Sequence, residues 1–162
     1  MFLALLLGAA TAVLPAQTGP AAGFSGTWIL DASRSEGLPE GMTQTMTVTH
    51  AADRIEIETH VVGPQGDQRL PDVYVLDGRE TDYVPPVIGE GKGKGRRTSK
   101  WSPGRTGFES TERADLEGPD GTATITATRK WTLAPDGRTL TIEMTMATPD
   151  GEIRSTRIFL RK

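Results

Sequence analysis

A chain of 162 residues with 36% hydrophobic and 24% charged side chains holds one domain and has enough apolar matter to bury a core. Its net charge of -3 excludes long-range attraction to phosphate backbones, so nucleic acid is not an expected partner. The absence of cysteine excludes disulfides, thiolate nucleophiles, sulfur-ligated metals and a lipid-bearing cysteine.

The first charged residue is Asp31, and the run Phe2 to Leu7 is almost purely apolar, followed by small residues and Pro15. That pattern predicts an export signal over residues 1–16, with small-x-small cleavage after Ala12 or after Ala16. The apolar run is too short for a stable transmembrane helix, so residues 24–162 are expected to form a periplasmic or secreted domain.

Beyond residue 23 the apolar residues alternate with period two, the mark of half-buried strands. Over 43–49, Thr43, Thr45, Thr47 and Thr49 share one face while Gln44, Met46 and Val48 share the other. The next run sets Ile55, Ile57 and Val61 against Arg54, Glu56, Glu58 and His60. A strand carrying Val73 and Val75 is expected to end near Asp77-Gly78, and Pro103-Gly104 joins a hairpin between 95–102 and 105–113. From 122 to 133 Thr122, Thr124, Thr126, Thr128 and Lys130 alternate with Ala123, Ile125, Ala127, Arg129, Trp131 and Leu133. From 139 to 146 Leu140, Ile142, Met144 and Met146 form the apolar face, and a last strand covers about 152–161. Pro-Asp-Gly recurs at 119–121, 135–137 and 149–151. Pro presets φ, Asp caps the turn and Gly accepts positive φ, so these are tight turns between antiparallel neighbours. The expected fold is all-β, an antiparallel up-and-down meander of about 8–9 strands, closed into a barrel so that its apolar face is covered and its edges are removed. The expected inward set is Trp28, Met46, Val48, Ile55, Ile57, Val73, Val75, Trp101, Phe108, Ile125, Trp131, Leu140, Ile142, Met144, Met146, Ile158 and Leu160.

Residues Phe24-Ser25-Gly26-Thr27-Trp28-Ile29-Leu30-Asp31, followed by Ser33 and Ser35, resemble the opening of the lipocalin-like family of small secreted bacterial proteins and the Gly-x-Trp of the broader calycin group. The resemblance implies a lipocalin-like barrel whose first-strand Trp packs near the closed end beneath a late-strand Arg, for which Arg154, Arg157 and Arg161 are available.

The residues that carry chemistry are few. The only histidines, His50 and His60, sit in no nucleophilic motif and read as rim or surface groups, while Glu56 and Glu58 share a solvent face. No catalytic set, metal-binding spacing or cofactor motif is visible, and an enzyme is not expected. The run Gly89 to Gly95 lacks the order of a phosphate loop and reads as a flexible approach to a hairpin within an irregular segment, 85–95. Lys92, Lys94, Arg96, Arg97 and Lys100 make a basic stretch whose partner would be an anionic envelope surface. In the barrel interior the candidate ligand-binding residues are Met46, Trp101, Phe108, Arg129, Trp131, Met144 and Met146. Arg129 is the charge on an apolar face, and three readings of it are open: a contact to a ligand head group, a pair with an internal acid, or a bulge that turns it outward. The function expected is an exported module that binds a small apolar or amphipathic ligand. The alternative is a cell-envelope interaction protein with a filled barrel.

Overall fold

The computed structural model describes residues 23–64, 66–85, 92–118 and 121–162. The predicted export segment and the turn residues 119–120 lie outside that set. Alternating threonine and apolar residues give ten strands: β1 (Gly26–Leu30), β2 (Thr43–Ala51), β3 (Arg54–Gly63), β4 (Gly66–Val75), β5 (Asp77–Tyr83), β6 (Lys92–Trp101), β7 (Gly107–Gly118), β8 (Gly121–Leu133), β9 (Thr139–Thr148) and β10 (Gly151–Arg161). Every ladder is antiparallel, and each strand pairs with its chain neighbour except at one place. β1 closes the sheet onto β10, with Trp28 opposite Arg161, and the order β4-β3-β2-β1-β10-β9-β8-β7-β6-β5 leaves β4 and β5 as facing edges without a ladder. The barrel is therefore nearly closed, with ten strands where 8–9 were expected. The extra strand arises because Leu76 turns the chain between β4 and β5, its N–H donating to Asp53 O at 2.7 Å, so that Asp77-Gly78 opens a strand instead of ending one.

The turns follow their residues. Gly137 takes φ 67° and donates to Ala134 O at 2.9 Å in the β8–β9 turn, and Gly151 takes φ 134° at the β9–β10 turn. The 31–42 connection is pinned by Asp31 and Ser35. Asp31 accepts from Ser33 and Arg34 at 2.6 and 2.7 Å, and the Ser35 hydroxyl takes the N–H of Ile158 at 2.9 Å.

One half of the barrel is filled. Phe24, Trp28, Ile55, Phe108, Leu140 and Phe159 are all essentially inaccessible there, and Phe108 stacks on Trp131 with ring centroids 5.1 Å apart. Of the three late arginines, Arg161 takes the place over Trp28. Its guanidinium carbon lies 4.3 Å from the ring centroid, and it donates to the carbonyls of Gly137, Ser25 and Gly23. Trp28 Nε1 in turn donates to Phe24 O at 2.9 Å, so the floor is tied to the segment before β1, to β10 and to the β8–β9 turn.

Two strands run in the opposite phase to the expectation. On β4, Val73 is exposed and Val75 only half-buried, while Tyr74 and Leu76 are buried. On β10, Leu160 is exposed and Ile158 half-buried, while Ser155 and Phe159 are buried. In both strands polar residues occupy the inner face, Asp72 in β4 and Ser155 with Arg157 in β10, because the interior holds a charged network and a cavity for them to meet.

Candidate functional site

The other half of the barrel contains a partly open cavity of about 330 Å³. Its wall is apolar along Met46, Ile57, Val61, Leu70, Ile142 and Met144, with Trp131 and Tyr74 toward the aromatic floor and Val84 and Pro85 at the β5 end. Polar groups come from Gln44, Thr59, Asp72, Arg129, Ser155 and Arg157. Of the candidates named from sequence, Met46, Arg129, Trp131 and Met144 meet here. Phe108 is buried beneath Trp131, Trp101 packs with Phe24 and His50 in the filled half, and Met146 lies outside the lining. Trp101 is further held by its indole N–H, which donates to Asp53 at 2.8 Å, and by Arg105 above its ring.

Arg129 points inward and pairs with Glu112, an acid that the sequence reading did not single out. The same carboxylate accepts from Arg97 Nε at 3.0 Å, and Arg97 continues to Asp72, donating to both its oxygens at 2.5 and 3.0 Å. Arg97 and Glu112 are each 2% exposed, so this Asp72–Arg97–Glu112–Arg129 chain is an interior network. Burial works against the charge of Arg129, but the Glu112 carboxylate, through its charge and its hydrogen bond, outweighs burial and holds the Arg129 pKa above the usual range. Arg97 is sandwiched between the Tyr74 and Tyr83 rings at 4.2 and 4.3 Å. It also donates to Val73 O at 2.9 Å, so it reaches from β6 past the edge strand β5 and clasps β4 across the unpaired edges.

This placement corrects the reading of 92–100 as a basic surface. Arg97 faces inward. Arg96 does face outward but is bound by Glu80 and Asp82 at 2.7 and 2.6 Å. Lys94 stands opposite Asp115, and Lys100 lies between Asp77 and Glu109 in register, so the outer stripe is flanked by acids and has one basic register neighbour, Arg113. Lys92 belongs to the same strand, opposite Glu117. The glycines of this run serve packing: a Cβ on Gly95 would collide with the Tyr83 ring, and one on Gly93 would meet Pro85 and Leu116. Residues 92–95 are thus strand, and 86–91 of the expected irregular segment lie outside the described residues.

Burial raises the pKa of Tyr74 far above the usual phenol range and pushes Tyr83 up to about 12 from 10.0, where the charge of Glu112 adds to burial. These are the only two tyrosines. A phenol pKa raised by folding means that the native state holds the proton more tightly. That stability is whole below pH 10.0 and is lost as pH climbs toward about 12. Alkaline titration followed by phenolate absorbance and circular dichroism is expected to show phenolate appearing together with unfolding. A phenolate band near pH 10 in the folded protein would contradict it.

No protein-family model and no curated protein matches the chain. Among solved structures it is similar to zebrafish ileal bile acid-binding protein complexed with cholic acid, at a TM-score of 0.53 and 12% identity, covering 86% of this chain and 99% of that one. The fold is calycin-like. At this identity the likeness shows the architecture alone, and the calycin-like barrel here carries its own interior chemistry.

Proposed function

We propose that this calycin-like barrel is an exported binding module for a small apolar or amphipathic molecule, of the lipocalin-like kind that its Gly-x-Trp opening resembles. The cavity carries the reading. Its volume of about 330 Å³ is at the lower end of the size that small-molecule sites occupy, and its mostly apolar wall with a few convergent polar groups is the usual composition of such sites. Met46 and Met144 on facing parts of that wall are adaptable side chains that accommodate varied apolar shapes. That the similar barrel from zebrafish was solved with cholic acid supports the same use of the architecture. The filled-barrel alternative fits only half of the interior. The run Phe2 to Leu7 supports export.

The test is native mass spectrometry of the mature protein, purified gently from its own organism, before and after organic extraction, followed by incubation with a total lipid extract of the same cells. A removable mass of a few hundred daltons, regained on incubation and not by a Met144→Trp variant whose indole fills the cavity, is the expected result. A bare protein in every sample would overturn the reading.

A further inference from the structure

Among the described residues the interior charges do not balance: three guanidinium groups face the barrel interior, Arg97, Arg129 and Arg157, against two carboxylates, Asp72 and Glu112. Both carboxylates are taken by Arg97, and Glu112 is shared with Arg129. Arg157 has no ion pair among the described residues; it donates from one terminal nitrogen to the neutral Gln44 Oε1 at 3.1 Å. Its Nε is buried without an acceptor among the described residues, and the Ser155 hydroxyl and the Trp131 indole nitrogen are likewise buried without partners among them. All three residues line the cavity. They also lie on one stretch of wall: Trp131 and Arg157 both stand opposite Ile142 across β8–β9–β10, and Ser155 stands beside them opposite Met144.

A half-buried cation with no counter-charge and buried idle donors around it is costly unless something supplies negative charge and acceptors. Burial, and then the neighbouring Arg129, both push the Arg157 pKa down, and against them the described residues offer the neutral Gln44 acceptor but no counter-charge. We infer that the cavity selects amphipathic monoanions, with the acidic head group, a carboxylate or a sulfate, held by Arg157, Ser155 and Trp131 against the β8–β10 wall. The apolar tail then runs past Met46 and Ile57 toward Val61 and Leu70. The inference rests on the binding reading above and adds the charge of the ligand and the residue that recognises it. Arg129, the cation conspicuous in the sequence, is instead committed to Glu112.

Titration calorimetry with decanoate, decyl sulfate and decan-1-ol, which share a tail, tests it on the whole mature protein. The two anions are expected to bind about 10- to 100-fold tighter than the alcohol, the range a hydrogen-bonded charge contributes. In Arg157→Gln that preference is expected to vanish while decan-1-ol binds as before. The ligand-free variant keeps or gains thermal stability, because a half-buried charge without a counter-ion has gone; a guanidinium that merely supported the fold would lower it. Ser155→Ala gives a second measure, with a several-fold loss for the anions only. If parent and Arg157→Gln bind all three ligands alike, a hydrated cavity satisfies these donors, and the anion inference falls while the binding reading stands. If none of the three binds the parent protein, both fall.

Discussion

Glu112→Gln is expected to destabilise the protein by about 3–5 kcal/mol, the cost of removing one partner from a buried ion pair. The magnitude follows from what would be left behind. Glu112 is the acid shared by Arg97 and Arg129, and at 2% exposure neither it nor Arg97 has water to fall back on. An amide still accepts a hydrogen bond but supplies no charge, so Arg129 loses its pair and Arg97 keeps only Asp72. The comparison variant is Glu56→Gln, whose pair with Arg54 is half exposed on both sides and is expected to contribute only about 0–1 kcal/mol. Urea unfolding of the two variants beside the parent protein measures the difference. Equal losses would mean that the interior network is solvated far more than its burial indicates.

The second large effect is expected at the floor. Trp28→Ala removes a wholly buried indole from the middle of β1, and large-to-small core replacements of this kind cost about 3–5 kcal/mol. Here the loss extends beyond the cavity it opens. The indole N–H holds Phe24, and its face carries Arg161, which binds the carbonyls of Gly23, Ser25 and Gly137. Trp28→Phe keeps an aromatic face for Arg161 but loses the hydrogen bond to Phe24, and is expected to recover more than half of the stability. Thermal unfolding monitored by far-ultraviolet circular dichroism checks the order parent, Trp28→Phe, Trp28→Ala. A Trp28→Ala variant within about 1 kcal/mol of the parent would show that β1 closes the barrel without its ring, far below the usual cost.

Much of this architecture was legible in the chain. Threonine alternating with Met46 and Val48, or with Leu140 and Ile142, leaves no doubt about which face is dry, and Pro135-Asp136-Gly137 marks its turn. The readings failed where the interior is polar. Period-two reasoning sends apolar residues to the dry face, so Val73 and Val75 on β4 and Ile158 and Leu160 on β10 are expected inside, a parity that turns Asp72 and Arg157 outward. The structure puts the charged residues inside because each meets a partner or a cavity there. A signal for the network did exist. Extending the parity of Trp101 back along β6 places Ser99 and Arg97 within, and extending that of Phe108 along β7 places Ser110 and Glu112 within. Of the three readings left open for Arg129, the pair with an internal acid is the one that called for such a residue. The free donors of Ser155 and Arg157 were beyond any pattern, since they depend on what stands opposite them across two other strands.

The pairing of β1 with β10 has a consequence for how the chain is made. Every other ladder joins strands that follow one another and can zip up locally, but Trp28 waits for Arg161, nine strands later in the chain. Closure of so long a loop is entropically slow and raises the contact order of the whole domain. Until β10 has been synthesised, the growing chain is an open curled sheet that exposes the inner faces of Met46, Ile57 and Trp131 and offers β1 as a raw edge. Such a species is prone to associate with its own kind. For the export proposed above, this late closure would be an advantage, because a barrel that cannot shut early stays threadable until its last strand has emerged.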